Sequence, residues 1–124
     1  MSLAENFEDL NIWQDSRRLL KDIYSIFMKN CIAQKDFGFR DQLQRAALSV
    51  LNNIAEGFER YSTTDFARFL DIAKGSCGEV RSMLYVAGDL FYIDKEKALV
   101  LIDQYKILSK QIASLSKSLR KTKK

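Results

Sequence analysis

Five polar residues near the middle of the chain have the types and spacing that a functional site needs. Glu56 and Arg60 lie four residues apart, so on a helix they can pair along one face. Asn53, Ser76 and Glu79 complete the set. Glu56 and Glu79 could act as an acid–base pair or as metal ligands, but no third ligand or nucleophile accompanies them. We therefore expect no catalytic or metal site and favour a structural role, in which these groups pair between helices or subunits. A solvated helix face is the remaining alternative.

A second set of residues has the charge to bind phosphate groups. The last eight residues carry five cations, namely Lys117, Arg120, Lys121, Lys123 and Lys124. The whole chain has a net charge of +4, whereas residues 1–116 hold 15 basic and 16 acidic side chains and sum to −1. Arg17, Arg18 and Lys21 cluster on the exposed face of the first predicted helix. These eight cations are candidate nucleic-acid contacts. For the tail, the alternative is a solvated helix end whose cations are favoured by the helix dipole.

The composition argues against several other kinds of chemistry. Histidine is absent, which removes the commonest general base and the usual Ser/His and Cys/His pairs. Cys31 and Cys77 form no Cys-x-x-Cys motif, and both fall on apolar helical stripes, so we expect two buried thiols. The N-terminal residues include Glu5, Glu8 and Asp9 and lack the apolar region of a signal peptide. We expect a cytoplasmic protein without cofactors.

The chain length and periodicity predict a single helical domain. The 124 residues contain no proline and only five glycines, which favours long helices. Ser62 is a suitable N-cap, and Gly57 either ends the preceding helix or permits a close helix contact. Apolar spacing predicts helices over about 10–32, 39–60, 63–91 and 95–119, with a basic C-terminal tail at 117–124. The predicted class is all-α, an antiparallel up-down-up-down four-helix bundle with left-handed packing.

The third predicted helix carries more apolar surface than one neighbouring helix can cover. One row runs from Phe66 to Phe91, and a second row at heptad spacing consists of Ile72, Ser76, Glu79, Met83, Val86 and Leu90. On the fourth predicted helix, Val100 and Ile107 point away from the core row. These surplus apolar positions predict a homo-oligomer.

The same stretch resembles a known family of small bacterial proteins. The resemblance is carried by Asn53–Gly57, Arg60, Ser62, Phe66, Phe69–Leu70, Ile72–Ala73, Gly75–Ser76 and Glu79, and upstream by Phe7, Leu10, Trp13, Gln14 and Asp41–Leu43. It is a resemblance to the four-helix-bundle proteins encoded within intervening sequences of bacterial 23S ribosomal RNA genes. The chain is also similar to the accessory proteins of diversity-generating retroelements. The resemblance implies a ring-like homo-oligomer, most often a pentamer, with no enzymatic activity.

Two functions follow from this reading. In the first, the protein is a non-enzymatic oligomer that binds RNA or DNA, and its basic tails supply much of the affinity. In the second, it is an adaptor or assembly module for another protein, and the tail is incidental. The near-neutral body and the absence of a nucleic-acid recognition motif weigh against the first function, whereas the resemblance favours it. Neither function involves a membrane.

Overall fold

Helices account for all the regular secondary structure in the described part of the chain. The structure is a computed structural model that describes residues 4–122. It contains a short 3₁₀ helix (Phe7–Asp9) and five α-helices: α1 (Asn11–Lys29), α2 (Cys31–Lys35), α3 (Phe37–Phe58), α4 (Thr63–Asp89) and α5 (Lys95–Thr122). This confirms the all-α class. No helix within residues 4–122 is long and apolar enough to cross a lipid bilayer.

The four long helices pack into a bundle around one continuous apolar core. Neighbours in the bundle are α1 and α3, α3 and α4, α4 and α5, and α5 and α1. Each long helix contributes side chains that are almost completely buried: Leu19, Ile23, Leu43, Ile54, Leu70, Leu84, Leu108 and Ile112. Each such side chain stabilises the fold by roughly 1.5–3 kcal/mol. The up-down-up-down order and the left-handed packing stay predictions.

The first long helix ends at Lys29, earlier than the predicted end near residue 32. Asn30 leaves the helix with φ −128° and ψ 109°, and its side chain accepts a hydrogen bond from the Ala33 N–H at the start of α2. Its Nδ2 donates to the backbone oxygens of Phe91 and Tyr92, each at 3.3 Å. Asparagine suits such a cap better than a helix interior. The apolar period continues across Asn30, which is why it predicted one longer helix.

The break at Asn30 also changes the environment of one cysteine. Cys31 is exposed, so the expectation that it is buried is wrong. The helix direction changes at Asn30, and the α1 stripe that ends at Phe27 therefore does not continue into Cys31. Cys77 on α4 is buried as expected, and burial raises the pKa of its thiol to about 12.

Gly57 lies inside α3 and permits a close contact with α4. A Cβ atom at this position would lie 2.7 Å from the Phe69 Cβ and 2.9 Å from the Phe66 Cδ1. The helix continues one residue further, to Phe58, and Gly57 has a negative φ. Of the two roles predicted for this glycine, the structure therefore supports the close helix contact.

The link between α4 and α5 begins with a Schellman motif. The Phe91 N–H donates to the Gly88 oxygen at 3.1 Å, and the Tyr92 N–H donates to the Ala87 oxygen at 2.9 Å. The motif requires a left-handed residue, and Phe91 takes that position with φ 61°. Among residues 4–122 it is the only residue other than glycine with positive φ. The helix therefore ends at Asp89 instead of the predicted Phe91.

The last helix continues past its predicted end at residue 119. It reaches Thr122, so residues 117–122 of the predicted tail form the last turns of α5. No glycine or proline interrupts this segment, and Leu119 packs against the core. Lys123 and Lys124 lie outside the described residues.

Candidate nucleic-acid interface

The last turns of α5 and the first half of α4 enclose a groove of about 530 Å³. This feature, the α4–α5 groove, is lined by Asp71, Lys74, Ala113, Ser116, Lys117, Arg120 and Lys121. Its position follows from the packing of α5 on α4 and from the buried Ser116, whose Oγ donates to the Asp71 Oδ1 at 2.8 Å. Four cations and one carboxylate give this lining a net charge of +3.

Arg120 is bound within the groove and is not a free cation. Its Nη2 donates to the Asp71 Oδ2 at 2.6 Å and its Nη1 to the Oδ1 at 3.3 Å. Its Nη1 also donates to the Ser116 Oγ at 2.7 Å. These contacts with Arg120, aided by Ser116, lower the pKa of Asp71 and keep its carboxylate ionised, while the pKa of Arg120 is raised. Arg120 therefore anchors α5 to α4 before it contributes to any ligand site.

The lysines of α5 form a single stripe along the outer surface of the helix. Lys106, Lys110, Lys117 and Lys121 fall within about 60° of one another around the helix axis, at about 100° per residue. We call these four residues the lysine stripe. All four are exposed, and no ion pair within residues 4–122 involves any of them. The stripe therefore offers uncompensated positive charge along the second half of α5.

The basic cluster of α1 forms a separate surface. The Arg17 guanidinium lies 5.6 Å from the centre of the Trp13 ring, and Arg18 donates to Asp15 at 3.5 Å. Lys21 is exposed one turn further along α1. No hydrogen bond or ion pair among residues 4–122 connects these three cations to the α4–α5 groove. The structure therefore does not merge the two candidate basic surfaces.

Part of the predicted polar stripe forms a closed network between α3 and α4. The hydroxyls of Ser49 and Ser76 are 2.8 Å apart, and Asn53 Nδ2 donates to both the Ser49 oxygen and its Oγ, at 2.8 and 2.9 Å. Ser76 is buried, with 8% of its surface exposed. These contacts satisfy the polar groups between two helices, in the manner that a structural role requires.

The charged members of the polar stripe lie at the surface. Arg60 Nη2 donates to the Glu56 Oε2 at 2.8 Å, and the Glu56 side chain is 54% exposed. The Arg60 guanidinium also lies 4.7 Å from the centre of the Phe69 ring, at the same distance as that of Arg68. Glu79 is exposed and has no hydrogen bond or ion pair within the described part of the chain. Glu56 and Glu79 are thus not a buried pair within one chain.

His, Cys, Asp and Glu side chains form no group of three or more suited to a metal ion among residues 4–122. A second groove, of about 620 Å³, lies where the end of α1 meets the link before α5. Its lining mixes both charge signs, with Asp22, Lys29, Asp94 and Lys97 among the lining residues. It therefore lacks the single sign of charge found in the α4–α5 groove.

Sequence reasoning missed Lys74 and the first half of the lysine stripe. Attention to the last eight residues hid a longer pattern, because residues 104–122 contain five cations and no acidic residue. That pattern, read at helical spacing, identifies Lys106 and Lys110. Lys74 has no signal in the sequence, because only the packing of α4 on α5 brings it beside Lys117.

Comparison with known proteins gives two matches. A family model described as 23S rRNA-intervening sequence protein matches residues 8–114. Among solved structures, the fold is similar to a protein of unknown function from the S23 ribosomal protein family of Bacteroides thetaiotaomicron. The TM-score is 0.78 at 24% sequence identity, over 86% of this chain and 98% of the other. No curated protein matches the chain.

Proposed function

Because the chain belongs to the 23S rRNA-intervening sequence protein family, we propose that it is a non-enzymatic, homo-oligomeric helical bundle that binds RNA or other nucleic acid. The observation that carries this proposal is the lysine stripe, whose four exposed cations have no ion-pair partner within residues 4–122. Each lysine that meets a phosphate releases condensed counterions, and this release drives binding.

The interface extends the predicted tail contacts along α5 and onto α4. Lys117 and Lys121 belong to both the stripe and the groove, and Lys74 faces them from α4. Arg17 and Lys21 supply a second, weaker basic surface on α1. In an oligomer the stripes of several chains act together, so modest contacts per chain sum to useful affinity.

A titration of labelled, structured RNA by fluorescence anisotropy tests this proposal. We compare the intact protein with the double variant Lys117→Gln/Lys121→Gln at two salt concentrations. Intact protein should bind more weakly as salt rises, and the double variant should flatten the slope of log K against log salt by about 2. Truncation after Ser116 is a poorer test, because it also removes Leu119 from the core and Arg120 from Asp71.

The matched control removes two cations from the opposite end of the bundle. Lys29 and Lys35 lie on either side of Asn30, which binds the link before α5, whereas the groove lies at the far end of α5. The control Lys29→Gln/Lys35→Gln has the same net charge as the test variant and should bind as the intact protein does. Equal losses in both variants would contradict a localised interface. No binding by intact protein at low salt would overturn the proposal.

The oligomeric part of the proposal is supported by apolar side chains that one chain leaves half exposed. On α4 these are Ile72, Val86 and Leu90, at 43%, 41% and 46% exposure. On α5, Val100 and Ile107 are 57% and 50% exposed. The family resemblance favours a pentamer, and contacts between copies would remove this apolar surface from water.

A protein adaptor is the second candidate function. It is favoured by large apolar side chains exposed around the α1–α2 break and the α4–α5 link: Met28 at 79%, Ile32 at 75%, Phe37 at 61% and Phe91 at 79%. Such surface is typical of a protein contact. Failure to bind nucleic acid, together with capture of a defined protein partner that Phe91→Ser abolishes, would favour this function.

A further inference from the structure

We infer that the α4–α5 groove and the lysine stripe bind the phosphate backbone of a nucleic-acid duplex, and do not bind the bases of a single strand. This inference rests on the proposed function and names its ligand class. It depends on three features of the surface: the absence of aromatic side chains, the rigidity of the stripe and the identity of its cations.

No aromatic side chain lines the groove. The sole aromatic residue of α5 is Tyr105, which is 0% exposed. Proteins that hold single strands stack bases on aromatic rings, and each stacked base contributes about 1–3 kcal/mol. A single strand on this surface would gain no such energy, because only charged and small side chains face it.

The nearest candidate rings are elsewhere or already in contact with cations. Phe69 carries the guanidiniums of both Arg60 and Arg68 at 4.7 Å from its centre, and Trp13 carries that of Arg17. The exposed rings of Phe37 and Phe91 belong to the start of α3 and the α4–α5 link, at the opposite end of α5 from the groove. None of these rings forms a stacking surface beside the lysine stripe.

The cations are held along a straight and rigid element. From Lys106 to Lys121 the helix rises by roughly 22 Å, at 1.5 Å per residue. A rod of this length can follow a duplex over roughly six base pairs, at 3.4 Å each. A flexible single strand would lose conformational entropy on such a rod, whereas a duplex already has its phosphates in fixed positions.

Lysine is a point charge on a flexible stem and reads no base edge by geometry. Arg120, whose planar guanidinium could recognise a base, is held by both oxygens of Asp71. Binding should therefore be independent of base sequence. With three to five phosphates neutralised per chain, the slope of log K against log salt should lie between about −3 and −4.5.

Anisotropy titrations of the full chain against duplexes and their separated strands test this inference. The probes are a 20-base-pair RNA duplex, a DNA duplex of the same sequence, a second RNA duplex of unrelated sequence, and each strand alone. We expect duplexes to bind about tenfold more tightly than single strands, because their axial charge density is higher. The two RNA duplexes should bind equally. The RNA and DNA arms identify which duplex is preferred, and either preference supports the inference.

Lys74→Gln is the sharpest variant, because only the packing of α4 on α5 brings Lys74 beside the stripe. It should reduce the salt slope for duplex by about 1, as Lys117→Gln should, whereas Lys35→Gln should leave it unchanged. All three lysines are exposed, and circular dichroism verifies that each variant is folded. Tighter binding of single strands, a strong sequence preference, or an unchanged slope in Lys74→Gln would overturn the inference. Absence of binding to every probe would instead overturn the proposed function.

Discussion

At the residue scale, two tyrosine hydroxyls have opposite environments and should respond oppositely to the same substitution. Tyr105 is 0% exposed, and its hydroxyl has no hydrogen-bond partner within residues 4–122. A buried hydroxyl without a partner carries its full desolvation cost, so Tyr105→Phe should stabilise the fold by roughly 1–2 kcal/mol. Tyr92 donates to the Asp36 Oδ2 at 2.7 Å, and Tyr92→Phe should destabilise it. Urea unfolding measures both. A loss of stability in Tyr105→Phe would show that its hydroxyl is hydrogen-bonded in solution.

Phe91 offers a second test at a single residue. A non-glycine residue in the left-handed region costs roughly 1–2 kcal/mol, and the Phe91 side chain is 79% exposed. Phe91→Gly should therefore raise the free energy of unfolding by about 1 kcal/mol, whereas Asp89→Gly, inside α4, should lower it by a similar amount. A loss of stability in Phe91→Gly would mean that another subunit covers the ring.

Residue-level properties were predictable from the sequence where they depend on periodicity alone. Ser16 and Cys77 are buried on the stripes that helical spacing assigns to the core. Cys31 was predicted wrongly, because the break at Asn30 depends on the carbonyl oxygens of Phe91 and Tyr92, about 60 residues away. The Ser49–Ser76 contact likewise joins two helices. Contacts of this kind require the packed bundle and have no local sequence signal.

At the scale of helices, two glycines that look alike in the sequence have different roles. Gly57→Ala places a Cβ within 3 Å of Phe66 and Phe69, which should destabilise the bundle by roughly 1–3 kcal/mol. Gly75, in the middle of α4, has nothing within 4 Å of an added Cβ, so Gly75→Ala should stabilise the helix by up to about 1 kcal/mol. Thermal melting separates the two. Destabilisation by Gly75→Ala would place this surface of α4 in a contact between copies.

The contact between Asp71 and Arg120 makes the packing of α5 on α4 dependent on pH. The pKa of Asp71 is lowered from its ordinary value of 3.8, chiefly by the hydrogen bond from Arg120. The stabilisation is therefore complete above about pH 4 and is lost as the pH falls through the folded-state pKa. Asp71→Asn should lower the urea midpoint at pH 7, modestly because both side chains are 50% exposed, and should have little effect near pH 2.

Asp103→Asn provides the control for this pH dependence. Asp103 is also exposed on α5, and no ion pair within the described residues involves it. Its substitution should leave the urea midpoint unchanged at both pH values. A difference between intact protein and Asp71→Asn that persists at low pH would show that the effect is not electrostatic.

Helix ends were harder to predict than helix interiors. Ser62 accepts a hydrogen bond from the Asp65 N–H and begins α4 at Thr63, as its side chain suggests. The other ends depend on tertiary contacts, such as Asn30 with the α4–α5 link and Arg120 with Asp71. The α4–α5 groove was only half predictable for the same reason. Lys117 and Lys121 follow from the sequence, whereas Lys74 requires the neighbouring helix.

At the scale of the whole molecule, the all-α class followed from the sequence because it depends on composition and period. Long apolar stripes without proline leave few alternatives to packed helices. Assembly depends on surfaces between copies, and the half-exposed rows of α4 and α5 are the only sign of it that one chain carries. The number of subunits is set by the angle between neighbouring copies, which no row of apolar residues encodes.

We therefore predict that the protein forms a homo-oligomer, and that the surplus apolar rows are the contacts between copies. Light scattering at micromolar concentration should give a multiple of the 14.3 kDa chain mass, with five chains expected from the family resemblance. Ile72→Lys and Ile107→Lys should each shift the protein toward smaller species while it stays folded, because both side chains are at least 43% exposed in one chain. Gln111→Lys, at another exposed position of α5, provides a control of equal charge. A monomer for the intact protein would contradict the prediction, and so would an unchanged mass in both isoleucine variants.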